Sequence, residues 1–199
     1  MKYVPKAIIL VLLFSVGVFA QKVDSIRAID FSNFTYPAYQ QFTLKNGKFG
    51  VMEDGMTLWK VVYGDVTGDG VEEAIVILNM DLAGSALMHR VYIYTLKNRL
   101  PKLILAFTSG DRAWGGLRKI YAKNGGLLVE LFGKGTRFNK DLIGTDDTGL
   151  CCPKSFTRTF YQWHRGRFRQ KGEVRVLPNP MVGTRCPTCL PDSEKDDSQ

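Results

Sequence analysis

The sequence has few of the residues and motifs on which catalysis commonly depends. It contains two histidines, His89 and His164, and no zinc-protease, nucleophile-elbow or phosphate-binding motif. No amphipathic helical pattern of useful length follows residue 20. We therefore expect a non-enzymatic protein that serves as a binding or structural module at the cell envelope or outside the cell. A hydrolase of an extracellular polymer, with Asp111 and Glu130 as its carboxylate pair, is the alternative.

Long hydrophobic runs are absent except at the N-terminus. Lys2 and Lys6 precede an apolar run over residues 7–19, and within residues 18–20 Val18 and Ala20 offer small side chains at the cleavage positions. This pattern predicts a signal peptide over residues 1–20, because the run is shorter than the roughly 20 residues that cross a bilayer. We expect a secreted or periplasmic chain with no transmembrane anchor, and a single-pass anchor formed by this run is the alternative. Losing two cations and no acid changes the formal charge from +8 to +6 (+8 minus 2).

Within the mature chain, residues 21–177 are predicted to form a single β-rich domain. Residues 178–199 are rich in proline and polar side chains and are predicted to be a largely disordered tail. The four cysteines lie in two clusters, Cys151–Cys152 and Cys186–Cys189. Export favours disulfides, and pairing between the clusters would pin the tail by closing loops of about 35 residues. A four-thiolate zinc site and a redox pair are the alternatives.

The strand pattern predicts an all-β fold. Runs of branched and aromatic residues occur in pairs, and a turn signal separates the two runs of each pair. These turns are at Asn46–Gly47, residues 97–101, residues 123–126 and Arg165–Gly166. We expect an antiparallel meander of hairpins, either sandwich-like or a strongly bent sheet. A short helical turn, or an extended lead-in packed by its aromatic residues, is expected within residues 28–39. The apolar run over residues 74–78 indicates a strand covered on both faces.

An acidic loop over residues 65–73 separates two of these predicted strands. Asp65, Thr67 and Asp69 alternate, Gly70 follows, and Glu73 ends the set, with no Lys or Arg between Lys60 and Arg90. Oxygen ligands at alternate positions suit Ca²⁺. The alternative is a plain hairpin turn at Asp69–Gly70 with acidic side chains around it.

The loop resembles the calcium loop of FG-GAP and VCBS repeats, which form blades of integrin-like β-propellers. The resemblance implies a structural Ca²⁺ bound by the side chains of Asp65, Thr67, Asp69 and Glu73 and by the Val71 carbonyl. Those repeats usually have Asp or Asn where Thr67 stands, which implies weaker binding here. Only one copy is present, so the resemblance covers the loop and not the fold. The same stretch is similar to segments of small exported bacterial proteins with no assigned activity.

Two stretches are candidates for ligand binding. Arg165, Arg167, Arg169 and Lys171 have the period of a strand, and aromatic residues surround them. Such a stripe suits an anionic envelope polymer or an acidic protein, while a solvated sheet face is the alternative. Arg112 and Trp114 form the second candidate, for stacking against a ligand, or else a packed corner. Export makes nucleic acid an unexpected partner.

Overall fold

The computed structural model describes residues 24–50, 54–82, 87–111, 115–133 and 153–180. These residues form antiparallel β-hairpins, which confirms the predicted all-β meander. Of the two short 3-10 helices, Phe31–Asn33 lies within the stretch where a helical turn was expected, and Ile26–Ala28 precedes it. The strands are β1 (Thr35–Tyr36), β2 (Phe42–Thr43), β3 (Lys48–Phe49), β4 (Asp54–Gly64), β5 (Glu73–Leu82), β6 (Leu87–Lys97), β7 (Leu100–Thr108), β8 (Leu117–Lys123), β9 (Gly126–Phe132), β10 (Ser155–His164), β11 (Arg167–Gln170) and β12 (Arg175–Pro178).

Two five-stranded sheets and one small hairpin account for these strands. The first sheet has the order β3-β4-β5-β6-β7, so each strand pairs with its neighbour in sequence. The second has the order β11-β10-β9-β8, and β12 pairs with the half of β10 that β11 leaves open. Strands β1 and β2 pair with each other. No helix within the described ranges is long and apolar enough to span a bilayer.

The main core lies between the two sheets. Ile75, Ile77, Val91 and Ile93 of the first sheet belong to one buried cluster with residues of the second sheet, namely Leu117, Ile120, Leu127, Val129, Leu131 and Tyr161. Alternate residues of a strand point to opposite faces, so these positions fix which face of each sheet is inside. The sheets therefore pack face to face, which agrees with the sandwich-like option.

The other face of the first sheet is covered by the N-terminal segment. Ile26, Phe31 and Tyr36 are buried against Tyr92 and Tyr94, which alternate with the inward residues of β6. The Tyr36 hydroxyl donates to the Phe31 carbonyl at 2.6 Å, which satisfies its buried polar group. Because residues 74–78 are buried on both faces, the continuous apolar run behaves as predicted.

Left-handed backbone at two successive residues forms the hairpin turns. Positive φ angles occur at Asn46–Gly47, Asn98–Arg99, Asn124–Gly125 and Arg165–Gly166, which are the four predicted turns. The first of these does not continue into a long hairpin. Only Lys45 and Lys48 form a bridge, after which β2 pairs with β1 and β3 pairs with β4. The reason is burial: Phe42 and Leu44 insert into the core beneath the N-terminal segment.

The strands of the first sheet extend further than the sequence indicates. The sequence of residues 79–89, with Gly84 and Ser85 in the middle, favours a loose connection, but the chain is strand up to Leu82 and again from Leu87. Backbone pairing with β4 and β6 outweighs the weak apolar pattern there. Strand β12 was not predicted, and the expected start of the tail at residue 178 falls inside it. Asn179 is buried, and its side-chain amide donates to the Pro153 carbonyl at 2.8 Å.

Candidate functional site

The acidic loop joins β4 to β5 and lies where the two sheets meet. Its Val66 side chain is buried in the core between the sheets. Gly68 has a φ of 79°, and a Cβ added there would lie 2.9 Å from the Gly125 carbonyl oxygen. The loop therefore contacts the Asn124–Gly125 turn of the second sheet at a distance that only glycine permits.

Asp65 and Asp69 close the loop through backbone hydrogen bonds. The N–H groups of Thr67 and Gly68 donate to Asp65 Oδ1 at 3.1 and 2.6 Å, and that of Gly70 donates to Asp65 Oδ2 at 2.9 Å. The Val71 N–H donates to Asp69 Oδ1 at 2.9 Å. Short acidic side chains stabilise tight turns in this way, because they accept from backbone groups a few residues ahead.

Glu73, the first residue of β5, is fully buried beneath the loop. The Val66 N–H and the Thr95 hydroxyl donate to its carboxylate at 2.9 and 3.0 Å, and the Thr67 N–H donates at 3.3 Å. Burial raises the pKa of Glu73 and the charge of Asp69 adds to the rise, whereas these hydrogen bonds oppose it. The side chain thus ties the loop to the neighbouring strand β6.

The predicted calcium ligands lie in this one loop, but several of their oxygen atoms already accept hydrogen bonds from the protein. Among the described residues, no three or more His, Cys, Asp or Glu side chains are arranged to share a metal ion. Oxygen-only donors suit Ca²⁺ chemically. The carboxylate oxygens of Asp65 and Glu73, however, already accept hydrogen bonds from within the protein. Calcium binding by Asp65, Thr67, Asp69, Val71 and Glu73 stays a prediction.

A second candidate lies on the outer side of the second sheet. Leu127, Val129 and Tyr161 point into the core, so the residues between them face away from the first sheet. Strands β8 to β12 contain a single acidic residue, Glu130. We name this surface the basic face and define it by its cationic side chains, Lys119, Lys123, Arg158, Arg167, Arg169, Lys171 and Arg175.

The strand register arranges the basic face in rows. Lys119, Glu130, Arg158 and Arg175 lie opposite one another across β8, β9, β10 and β12. The next row along the strands is apolar and consists of Tyr121, Leu128 and Phe160. Beyond it, Gln162 lies opposite Arg169 and His164 opposite Arg167. Residues four apart on a strand are about 13 Å apart, so two cationic rows flank an aromatic one.

Glu130 holds two arginines of this face. Its carboxylate accepts from Arg158 Nε at 2.6 Å and from Arg118 Nη1. The Glu130 side chain is 0% exposed, against 8% for Arg118 and 36% for Arg158. The Arg118 guanidinium also lies 4.2 Å from the ring centre of Phe156. Both guanidinium groups are therefore fixed from below by one carboxylate and one aromatic ring.

The structure places the predicted binding residues unevenly. Arg167 and Arg169 share the outer side of β11, and the Lys171 N–H continues the pairing by donating to the Phe160 carbonyl at 2.9 Å. Arg165 lies in the turn with a φ of 48° and not on the strand. Arg112, Trp114 and the four cysteines Cys151, Cys152, Cys186 and Cys189 lie outside the described residues, as does the predicted signal peptide.

The two histidines and the carboxylate pair considered for catalysis differ in exposure and in the groups that they contact. His89 is 2% exposed, its ring lies 4.9 Å from that of Trp59, and burial lowers its pKa to about 4. His164 is exposed at the end of β10. Asp111 follows β7 and is half-buried, whereas both oxygens of Glu130 accept from arginines. This arrangement favours a structural role for Glu130.

Comparisons with protein-family models, with curated proteins and with solved structures gave no match.

Proposed function

We propose that this protein is an exported, non-enzymatic β-domain that binds an anionic polymer at the cell envelope or outside the cell. The basic face of the second sheet is the binding surface. The observation that carries the proposal is the gathering of cations from the four strands β8, β10, β11 and β12, together with Lys171 just after β11, onto one side of a sheet. The strands of that sheet contain one acidic residue, which is itself buried and paired.

Two further features support a polymer as the partner. The cationic rows extend over neighbouring strands, so a chain with repeated negative charges meets several of them at once. The half-buried rings of Tyr121 and Phe160 lie between the rows and offer apolar surface to the backbone of such a chain. Export, predicted from the N-terminal sequence, places an envelope polymer within reach.

Retention on immobilised heparin tests the proposal. We expect the mature protein to bind at low salt and to elute as salt rises, because ions screen the attraction. Arg167→Ala/Arg169→Ala should elute at clearly lower salt. The matched control is Lys45→Ala/Lys48→Ala, which removes the same charge from exposed positions of the first sheet region. Equal elution of both double variants would show that net charge, and not the basic face, causes retention.

We also propose a structural Ca²⁺ in the acidic loop. The supporting observation is the gathering of acids in one short loop: Glu73 is buried beneath the loop that contains Asp65 and Asp69, and no basic residue lies within residues 65–73 to offset their charge. At ~1 mM Ca²⁺ and a Kd near 10⁻⁴ M, binding would add about 1.4 kcal/mol of stability.

Chelation tests the calcium proposal. We expect EDTA to lower the melting temperature of the wild type and to leave that of Asp65→Ala/Asp69→Ala unchanged, because the variant has lost two ligands. Identical melting of the wild type with and without EDTA would contradict the proposal and leave polymer binding unaffected.

A further inference from the structure

Among the described residues, the ion-pair cluster around Glu130 contains more arginines than carboxylates. Arg118 and Arg158 share the carboxylate of Glu130, and Arg175 lies opposite Arg158 in the same row. Arg118 is 8% exposed, and its Nε has no hydrogen-bond partner among the described residues. A buried charge without full compensation is unfavourable, so the cluster has a place for one more anion.

The register adds a second, independent reason. Arg158 and Arg175 lie directly opposite each other on β10 and β12, where Cβ atoms are about 5 Å apart. Like charges directly opposite one another destabilise a sheet. Arg175 is exposed and Arg158 is 36% exposed, so solvent and ligands reach both groups. The register thus places two accessible arginines side by side on the outer face of the sheet.

We infer that Arg158 and Arg175, with Glu130 and Arg118 behind them, bind a single oxyanion group. The chemical class is a carboxylate, sulfate or phosphate, since each presents two or more oxygens to a guanidinium fork. The inference that this site anchors one charged group of a polymer rests on the proposed function. The inference that it binds a free small anion does not depend on that function.

Preorganisation distinguishes this site from the other cations of the basic face. The Arg158 Nε is held by Glu130 at 2.6 Å, and its guanidinium lies 5.8 Å from the ring centre of Phe156. Arg169, by contrast, is exposed and lies opposite the neutral Gln162. A fixed guanidinium loses less freedom when it binds an anion than a mobile one does.

Thermal unfolding with small anions is the first test. The mature protein is melted in sodium sulfate, phosphate or acetate, each compared with sodium chloride at equal ionic strength. Sulfate stabilises most proteins by exclusion from their surface, so the variants decide the result. We expect at least one oxyanion to raise the melting temperature of wild type and Arg169→Ala more than that of Arg175→Ala. Equal shifts in all three proteins would overturn the inference.

Polymer binding by charge-conserving variants is the second test. Arg158→Lys keeps the charge and removes the fork, and Arg169→Lys makes the same change in the exposed row. We expect about a tenfold loss of heparin affinity for Arg158→Lys and about a twofold loss or less for Arg169→Lys. Equal losses would refute the anchor and leave the polymer-binding proposal intact. An anion effect on melting without any heparin binding would refute polymer binding and leave the site intact.

Discussion

At the scale of single residues, Glu73 connects the acidic loop to the rest of the protein. Its buried carboxylate accepts from Val66, Thr67 and Thr95. Glu73→Gln places an amide among these donors, so we expect unfolding free energy to fall by about 1–3 kcal/mol in urea titrations. The neighbouring Glu72→Gln is the control. Glu72 is half-exposed and pairs with exposed Arg27, so its loss should cost under about 1 kcal/mol. Equal losses would contradict the role assigned to Glu73.

His89 gives the protein a predictable sensitivity to acid. Its ordinary pKa of 6.5 is lowered to about 4 by burial, so the unfolded chain takes up a proton that the folded protein excludes. Burial of the neutral His89 ring therefore costs no stability above pH 6.5. The free energy of unfolding falls as the pH is lowered from 6.5 toward 4. The loss is on the order of 3 kcal/mol.

Urea unfolding at pH 7 and pH 4.5 measures this effect. His89→Leu should lose less stability between the two pH values than the wild type does. His164→Leu, altered at the exposed histidine, should behave as the wild type. If wild type and His89→Leu lose the same amount, another group causes the acid sensitivity.

The residues of the candidate sites differ in how far the sequence could reveal them. Asp65, Asp69 and Glu73 are close in sequence, so their proximity in the loop was predictable. Arg118 and Arg158 are 12 and 28 residues from Glu130, and only the strand register brings them together. A sequence pattern of period two identifies Arg167 and Arg169 as neighbours on one face. It does not identify Arg175 as the partner of Arg158.

At the scale of structural elements, the contact between the acidic loop and the β8–β9 turn depends on glycine. Gly68 and Gly70 both have positive φ angles, 79° and 84°. A Cβ at Gly70 meets no atom within 4 Å, whereas one at Gly68 meets the Gly125 carbonyl. Gly70→Ala therefore measures backbone strain alone, about 1–2 kcal/mol.

We expect Gly68→Ala to be the more destabilising substitution, because it adds a steric clash to the same strain. Urea unfolding of the two variants isolates the packing between the loop and the second sheet. A Gly68→Ala variant as stable as Gly70→Ala would mean that the loop does not press against the turn.

Turns were more predictable than strand ends. Asn and Gly tolerate left-handed backbone, so the sequence at residues 46–47 and 124–125 directly predicts a turn. The ends of β5 and β6 depend on pairing between strands and not on local preference. Strand β12 is short, ends at Pro178 and is largely exposed, so its sequence carries little strand signal. It forms because β10 extends beyond β11.

At the scale of the whole molecule, the two sheets differ in what covers them. The first sheet is buried on one face by the second sheet and on the other by the N-terminal segment. The second sheet has the core on its inner face and the cations on its outer face. Under the proposed function, an anionic polymer binds the second sheet because of this asymmetry.

Lysine modification with and without heparin tests that claim most directly, because it reports which side of the molecule the polymer covers. Lys123 and Lys171 are exposed on the basic face, and Lys48 and Lys102 are exposed on the first sheet. Mass spectrometry of the mature protein should show that heparin slows modification of Lys123 and Lys171 and leaves Lys48 and Lys102 unchanged. Protection of Lys48 and Lys102 equal to that of Lys123 and Lys171 would contradict the account.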